Sequence, residues 1–272
     1  MMTKLTKIHK SLLNKLKKLN IKKYRDLEQK FIIEGKRIVS EALNSDWKIE
    51  YLLIRENTGT DLQIKKLIEI ADKKGIPNFL VKTKDFENLC DTITSQGIIA
   101  IIKKKSTELN QTFNKNIQYS LIVALEKISD PGNLGTILRI CDWFAVDAVL
   151  VSKESADLYN PKVLRASMGS IFHLNVVNNV ELNKVIEDFR KNGYKIYSTT
   201  LDGINLEKIK FHNKAIIIFG SEADGISGEL IKVSDEKITI PRYGKAESLN
   251  VASACAIILS DYKSRTKELG LK

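Results

Sequence analysis

Residues 121–144, LIVALEKISDPGNLGTILRICDWF, contain the transition on which the fold prediction rests. Residues 121–125 form a short, uninterrupted apolar run, which is typical of a strand buried on both faces. Asp130 can cap the following helix and Pro131 suits its first turn, so we expect a helix from there to about Phe144. The stretch therefore predicts a buried strand that leads through a polar loop into a helix.

The same alternation continues to the end of the chain. Short apolar runs predict strands, and segments with helical spacing of apolar residues separate them. This pattern favours an α/β fold with a parallel sheet covered on both faces. Further strands are expected at Ala148–Val151, Leu174–Val177, Ile196–Thr200, Ala215–Phe219 and Lys237–Ile240, and further helices at Pro161–Met168, Glu181–Lys191 and Ser248 to about Lys267.

Residues 1–105 predict a separate, small α/β domain. Leucines at helical spacing between Leu5 and Leu19 predict an amphipathic helix with lysines on its outer face. Strands and helices then alternate to the end of this domain. Residues 106–118 are polar without an apolar period and are predicted to be a linker, and residues 119–272 are predicted to form the second domain.

The net charge of +11 is concentrated in the first predicted domain. Residues 1–105 contain 23 Lys and Arg against 13 Asp and Glu, and residues 1–25 contain nine basic residues and no acidic ones. A basic surface of this kind favours binding of a polyanion, above all a nucleic acid. A solvated lysine-rich face explains the same charge, and binding to an anionic membrane surface is a third, weaker interpretation.

The composition argues against several other classes of protein. Cys90, Cys141 and Cys255 are isolated in sequence and the three histidines are scattered, so neither a disulfide framework nor a metal site is expected. The apolar run at Ala215–Phe219 is far too short to span a membrane. The Lys-rich N-terminus lacks the apolar core of a signal peptide, which favours a cytoplasmic protein.

Common nucleotide-binding signatures are missing from the predicted strand ends, where open α/β sheets bind ligands. No G-x-G-x-x-G follows a strand, which argues against a dinucleotide site. Gly220–Gly225 has the glycine spacing of a P-loop, but Ile226 and Ser227 replace the required Lys-Ser/Thr. No G-x-S-x-G occurs, so the sequence does not indicate an α/β-hydrolase.

The polar segment at residues 130–139 carries the first candidate site residues. Helix capping explains Asp130 and Pro131 without any function. It explains neither Asn133 nor Arg139, which lies in an apolar stretch. We therefore expect Asn133 and Arg139 to belong to a site, although an ordinary surface arginine is the simpler interpretation of Arg139 taken alone.

Two further segments follow predicted strands. In residues 219–225, two glycines allow close backbone approach to a ligand, although a tight turn would need them as well. In residues 238–252, Ser248 is expected to cap the last helix. That leaves Asn250, a poor helix former just inside the helix, without an obvious structural role.

Taken together and in this order, the segments resemble the SpoU (TrmH) family of RNA ribose methyltransferases, within the SPOUT superfamily. The resemblance covers about residues 119–265 and rests on four motifs in register. The chain departs from the family pattern at Arg242, where Met is frequent, and at Trp143 and Ala145, where a small residue and Gly are usual. The matching motifs are DPGNLGTILR at 130–139, NPKVLRASMGSIFHL at 160–174, FGSEADGIS at 219–227 and IPRYGKAESLNVASA at 240–254.

The resemblance implies a C-terminal SPOUT domain with a parallel sheet and a deep trefoil knot, and a homodimer whose active sites use residues from both subunits. It implies S-adenosylmethionine as the cofactor, held in a bent pose by the knot loops. By position, the cofactor contacts would be Thr200, Leu201, Gly220, Ile240 and Leu249, and the catalytic residues would be Arg139, Asn133, Glu222, Ser248 and Asn250.

The family assigns activation of the ribose hydroxyl to the residue that matches Arg139. Methyl transfer requires that this hydroxyl be positioned and deprotonated. A guanidinium is ordinarily always protonated, so Arg139 is either an unusual base helped by an RNA phosphate or a clamp for that phosphate that stabilises the forming alkoxide. The high pKa of arginine favours the clamp.

The first domain resembles, more loosely, the ribosomal-protein-like substrate-binding domain of many family members, through FIIEGKRIVSEAL at 31–43. Large-subunit ribosomal RNA is the first expected substrate and transfer RNA the second. A non-catalytic RNA-binding or ribosome-assembly protein is the main alternative, and a Rossmann-type methyltransferase is a further one. The expected RNA contacts are Lys15, Lys18, Lys22, Lys23, Lys36, Arg37 and Arg165.

Overall fold

The computed structural model describes residues 6–58, 61–105 and 119–267. This part of the chain folds into two compact units. The predicted linker, 106–118, lies outside the described residues, and the predicted domain boundaries stay predictions. The first unit comprises the described residues up to Lys105 together with Tyr159–His173, and the second comprises residues 119–158 and 174–267.

The described residues up to Lys105 form a mixed sheet with helices around it. The helices are α1 (Lys10–Lys17), α2 (Lys22–Glu28), α3 (Lys36–Asn44), α4 (Leu62–Lys73) and α5 (Thr83–Glu87). The strands are β1 (Thr6–Lys7), β2 (Lys30–Glu34), β3 (Ile49–Arg55), β4 (Asn78–Val81) and β5 (Ile98–Lys103). Their order is β1-β4-β3-β5-β2, with β4 parallel to β1 and β3, and β5 antiparallel to β3 and β2.

The amphipathic helix expected near the N-terminus is confirmed over a shorter range, Lys10–Lys17, and a 3-10 turn continues it. Leu13, Leu16 and Leu19 are buried in one cluster with residues of β3, α5 and β5. Lys15 and Lys18 lie on the other side, where both are exposed. The leucine spacing therefore fixes which face of α1 packs on the sheet. Three short elements, β1, α2 and α5, were not predicted.

Residues 119–267 contain a second alternation of strands and helices. The strands are β6 (Ser120–Leu125), β7 (Ala148–Ser152), β8 (Val176–Val180), β9 (Lys195–Asn205), β10 (Lys214–Phe219) and β11 (Glu236–Thr239). The helices are α6 (Pro131–Trp143), α7 (Pro161–Ser167), α8 (Leu182–Lys191), α9 (Gly228–Val233) and α10 (Val251–Lys267).

These six strands form one sheet in the order β11-β9-β10-β6-β7-β8, and every neighbouring pair is parallel. The predicted parallel sheet is thereby confirmed. All residues of β6 and β7 are buried, which requires cover on both faces because successive side chains point to opposite sides. Residues of α8 and α9 pack in one core cluster with the sheet, and α6 packs against α10.

The segment Tyr159–His173, which contains α7, packs in the first unit although the chain reaches it from the second. The Phe31 and Tyr159 ring centroids are 4.6 Å apart, and those of Trp47 and Phe172 are 5.4 Å apart. Its position in the chain gave no indication of this packing, because the aromatic partners are distant in sequence. In the described ranges, no helix combines the length and the apolar character that crossing a membrane requires.

Candidate active site

A cavity of about 660 Å³ opens beside the middle of β9 and at the carboxyl ends of β10 and β11. Its volume lies in the usual range for small-molecule sites, and parallel sheets bind ligands at this edge. Three stretches supply most of its wall: residues 199–202, residues 219–226 and residues 238–249. The five residues expected to contact a cofactor all line this cavity: Thr200, Leu201, Gly220, Ile240 and Leu249.

An irregularity between β9 and β11 brings the first stretch into the wall. Lys237 pairs with Ser198, but the next residue of β11 pairs with Ile204, so residues 199–203 bulge out of the ladder. A Cβ at Gly203 would lie 2.7 Å from backbone atoms of Ile238, so this bulge requires glycine. The Lys237 ammonium lies 2.6 Å from Asp202 and lowers the pKa of that carboxyl.

The second stretch is a tight loop after β10. Ser221 and Gly225 exchange backbone hydrogen bonds of 3.2 and 3.0 Å, and Gly225 has a φ of +67°. A Cβ at Gly220 would lie 2.2 Å from the backbone of Gly225. The buried carboxylate of Glu126 accepts a 2.8 Å hydrogen bond from the Ser227 N–H, which ties the loop to the end of β6. The glycines were expected to let a ligand come close to the backbone. In the structure, the close approach at Gly220 is to the backbone of Gly225 in the same loop.

Three predicted catalytic side chains form one hydrogen-bonded chain. The Asn250 amide nitrogen donates to Asn133 Oδ1 over 3.0 Å, and the Asn133 amide nitrogen donates to Glu222 Oε1. Asn133 is held on α6 because its backbone N–H donates to Asp130, which caps the helix as expected. Glu222 lines the cavity, so the chain leads from α10 across α6 to the cavity wall.

The prediction that Ser248 caps the last helix is wrong. The cap is Asn250, whose Oδ1 accepts hydrogen bonds from the backbone N–H groups of Ala252 at 2.9 Å and Ser253 at 3.4 Å. One amide group thus caps the helix through its oxygen and joins the hydrogen-bonded chain through its nitrogen. Ser248 lies exposed in the preceding loop, where it lines the cavity.

Arg139 is placed apart from the other predicted catalytic residues. It is exposed on the face of α6 that also carries Thr136 and Trp143, whose exposed fraction is 84%. It does not line the cavity of its own chain. Within the described residues, its guanidinium has no hydrogen-bond or ion-pair partner, so it is free to meet a group from outside this chain.

The cavity wall is acidic. Asp202, Glu222, Asp224 and Glu247 line it, and Arg242 is the one cation among the lining residues, all of which the structure describes. Such a wall favours a cationic ligand and disfavours phosphates. Across the described ranges, no group of three or more His, Cys, Asp or Glu is arranged to hold a metal ion.

The sequence reasoning missed three residues of this region. Glu126 follows β6 directly, where a polar residue at a strand end is a usable signal. Asp202 follows the apolar part of β9 but still lies within that strand. Tyr243, 89% exposed, lines the cavity next to Arg242. Nothing in the local sequence singled out this tyrosine, because aromatic residues in loops are common.

The expected RNA contacts lie in the first unit and fall into two groups. Lys15, Lys18, Lys22, Lys23 and Arg37 are exposed, and the Lys18 ammonium lies 5.3 Å from the centroid of the Tyr24 ring. Lys36 and Arg165 are instead paired with carboxylates, Lys36 with Asp61 and Arg165 with Asp91. RNA would have to displace a carboxylate to use the second group.

Two family models match this chain. The model of the SpoU rRNA Methylase family covers residues 120–260, and that of the MRM3-like substrate binding domain covers residues 10–100. The chain is 32% identical to a 23S rRNA (guanosine(2553)-2′-O)-methyltransferase of Bacillus subtilis, over 89% of this chain and 92% of that protein.

Solved structures agree with the family models. An AdoMet-bound rRNA methyltransferase from Sinorhizobium meliloti superposes with a TM-score of 0.84 at 25% identity, over 97% of this chain and 98% of the other. A protein described as an RNA 2′-O ribose methyltransferase superposes with a TM-score of 0.80 at 25% identity, over 98% of this chain and all of the other.

Proposed function

The chain belongs to the SpoU rRNA methylase family, and from this premise we propose that it transfers a methyl group from S-adenosylmethionine to a ribose 2′-hydroxyl of large-subunit ribosomal RNA. The observation that carries the proposal is the hydrogen-bonded chain Asn250–Asn133–Glu222 at the wall of the cavity. A protein that only binds RNA would have no need for this arrangement beside a small-molecule cavity. The 2′-O specificity and the ribosomal substrate of the Bacillus subtilis relative support the finer assignment.

The cavity suits this cofactor in charge and in shape. Its carboxylates match a ligand that carries a sulfonium and an ammonium group, while Leu201, Ile240 and Leu249 offer apolar surface to a purine. Gly220 lines the wall without a side chain, so a ligand can approach its backbone there. When bound, S-adenosylmethionine supplies an activated methyl group on sulfur.

The chain's own groups position the nucleophile. Glu222 accepts from Asn133 through one carboxylate oxygen, which leaves its other oxygen available for a ribose hydroxyl. Ser248 provides a hydroxyl at the same wall. Arg139 clamps the adjoining RNA phosphate and stabilises the forming alkoxide, while the hydroxyl proton passes to water.

We propose that the enzyme is a homodimer and that Arg139 serves the partner's cavity. Trp143 is 84% exposed on the Arg139 face of α6, and Ile257 is 40% exposed on α10, which packs against α6. If a second copy of the chain covered these apolar side chains, the unpartnered Arg139 guanidinium could complete the cavity of that copy.

Mixed dimers test this arrangement. A dimer of one Arg139→Ala protomer and one Gly220→Ala protomer retains one intact cavity that faces an intact arginine, if the arginine acts in the partner's site. At a cofactor concentration too low to fill the Gly220→Ala cavity, where each variant alone is inactive, methyl transfer should therefore reappear when the two are unfolded and refolded together. A mixture as inactive as its components would contradict the shared site.

We also propose that the C-terminal segment is knotted, as the family resemblance implies. β11 is the edge strand of the sheet, and after it the chain returns through residues 240–250 to α10, which packs against α6. In the sheet, β9 and β10 lie between β11 and β6, the strand that precedes α6. An experimentally traced backbone that pulls straight when its two ends are extended would contradict the knot.

Mapping of 2′-O-methyl groups in total RNA tests the proposed reaction. RNA from cells with and without this chain should differ at one ribose of the large-subunit ribosomal RNA, and the purified protein with S-adenosylmethionine should restore that methyl group. A difference confined to transfer RNA would refute the substrate. Normal cofactor binding without any RNA methylation would refute the reaction.

A further inference from the structure

Arg242 differs in charge from the rest of the cavity wall. The wall carries four carboxylates, whereas Arg242 is its one cation, and every lining residue belongs to the described part of the chain. Carboxylates alone suit a ligand whose charges are all positive. A guanidinium among them matches a ligand that also carries a negative group.

The guanidinium of Arg242 is available for such a group. Its Nη1 donates to the carbonyl oxygen of Ala246 over 3.4 Å, which is long for a hydrogen bond. Arg242 is exposed, and in residues 6–58, 61–105 and 119–267 no carboxylate forms an ion pair with it. Most of its five N–H donors are therefore unused, and two of them can bind both oxygens of one carboxylate side by side.

A carboxylate of the wall lies close to Arg242 in the chain. The residue after Ala246 is Glu247, which lines the cavity as well and has no ion-pair partner among the residues that the structure describes. One loop thus supplies a cation and a carboxylate that do not neutralise each other by direct contact. The amino-acid end of S-adenosylmethionine carries an ammonium and a carboxylate on the same carbon, so the two side chains match it in sign.

The remaining charges of the wall favour this carboxylate over an RNA phosphate. Asp202, Glu222, Asp224 and Glu247 repel a polyanion that enters the cavity. S-adenosylmethionine is a net cation, because its sulfonium and ammonium groups outweigh its carboxylate. It is therefore attracted as a whole, while its single negative group still needs a positive partner.

We propose that Arg242 binds the carboxylate of S-adenosylmethionine, while carboxylates of the wall face its two positive groups. This inference rests on the proposed function, since it takes S-adenosylmethionine as the ligand of the cavity. It gives a binding role to a residue at which the sequence departs from the family pattern, where Met is frequent.

Calorimetry with two ligands tests the contact. Decarboxylated S-adenosylmethionine lacks the carboxylate but keeps the adenosine, the sulfonium and the ammonium. In Arg242→Met, the affinity for S-adenosylmethionine should fall about tenfold or more relative to the affinity for the decarboxylated compound. The wall carboxylates act on both ligands in both proteins, so their effect largely cancels in the comparison.

Two further variants separate a direct contact from a general effect of charge. Lys245→Met removes the same charge from the same loop, but Lys245 does not line the cavity, so the ratio of the two affinities should stay as it is. Arg242→Lys keeps the charge without the guanidinium fork and should retain part of the preference. Thermal unfolding should be the same for all variants, because the one hydrogen bond of the Arg242 side chain in the described residues is long.

An unchanged ratio of the two affinities in Arg242→Met would overturn the inference and leave the proposed reaction intact. If both affinities fell equally, Arg242 would only shape the loop. If neither fell but filter binding of large-subunit ribosomal RNA weakened, Arg242 would contact a phosphate instead. An equal change of the ratio in Lys245→Met would show a long-range effect of charge without a contact. Failure of the unaltered protein to take up either ligand would contradict the proposed function as well.

Discussion

At the residue scale, Arg139 shows how a charged side chain can be exposed within an otherwise apolar helical sequence. It lies in the apolar sequence of α6 and yet is exposed, without a partner in the described part of the chain. The sequence marked it as unusual, but its distance from the cavity of its own chain could not be foreseen. That distance depends on the pitch of α6, which turns Arg139 about 120° away from Asn133.

We expect Arg139→Ala to bind S-adenosylmethionine normally and to lose methyl transfer by about a hundredfold or more, because a positioned cation no longer stabilises the alkoxide. Calorimetry measures the first property and single-turnover methylation the second. Arg139→Lys keeps a point charge without the guanidinium fork and should recover only part of the rate. Turnover at the unaltered rate in Arg139→Ala would remove the residue from the mechanism.

Gly220 is the residue where the loop geometry leaves least room. In Gly220→Ala, the new methyl group would lie 2.2 Å from the Gly225 backbone, so the loop must move. We expect cofactor affinity to fall more than about tenfold and the free energy of unfolding to fall by about 1–3 kcal/mol. Calorimetry and denaturant unfolding measure these two effects.

Gly228→Ala is the matched control for that experiment. It lies on the same connection, and a Cβ there would meet nothing within 4 Å. It should bind the cofactor as the unaltered protein does. If both variants behaved alike, the close approach at Gly220 would not be what shapes the cavity.

At the element scale, the start of α10 combines a helix cap with a long-range hydrogen bond. Serine and asparagine are both good helix caps, so the sequence could not decide between Ser248 and Asn250. The deciding contact is the Asn250–Asn133 hydrogen bond, which joins residues 117 positions apart. Long-range contacts of this kind leave no local trace in the sequence.

Two substitutions at Asn250 should separate its roles. Asn250→Ser keeps a capping oxygen but loses the amide that donates to Asn133, so methyl transfer should fall while unfolding changes little. Asn250→Ala should show the same loss of transfer and should lower the free energy of unfolding by about 1 kcal/mol as well. Chemical denaturation and single-turnover methylation measure these effects. Full activity in Asn250→Ser would show that the hydrogen-bonded chain is not needed.

Strand β9 shows a second limit of local reasoning. Its apolar run predicts a strand that ends at Thr200, whereas the strand continues to Asn205 beyond the bulge. Residues 201–205 are mostly polar or exposed, and the last two of them, Ile204 and Asn205, pair only because β11 lies beside them. The bulge, and with it the placement of Leu201 in the cavity, is therefore set by tertiary pairing.

At the scale of the whole molecule, the parallel sheet was predictable because its strands are apolar on both sides, as β6 and β7 show. The strand order could not be predicted, because a strand that is apolar on both sides is compatible with any interior position in the sheet. The asymmetric charge was also visible in the sequence. The structure adds that Lys15, Lys22 and Lys23 are exposed on α1 and α2, which follow one another in the chain.

Charge reversal at these three lysines should weaken RNA binding and reduce its salt dependence. Each lost phosphate contact should flatten the slope of log K against log salt by about 0.7–0.9. Filter binding of ribosomal RNA over a salt series measures this effect. Reversal of the exposed Lys191, Lys208 and Lys232 of the second unit changes net charge equally and should leave more of the slope intact. Equal slopes for the two triple variants would show that the α1 and α2 lysines only form a solvated surface and do not contact the RNA.

The return of the chain to the first unit at Tyr159–His173 has a practical consequence for dissection of the protein. A fragment ending within 106–118 would keep Phe31 and Trp47 but would forfeit Tyr159 and Phe172, the rings that pack on them. The aromatic surface exposed in this way would favour aggregation of the fragment. Proteolytic separation at that point should therefore yield two pieces that remain associated until denaturant is added, and a soluble N-terminal fragment would require the segment that carries these two rings to be grafted back.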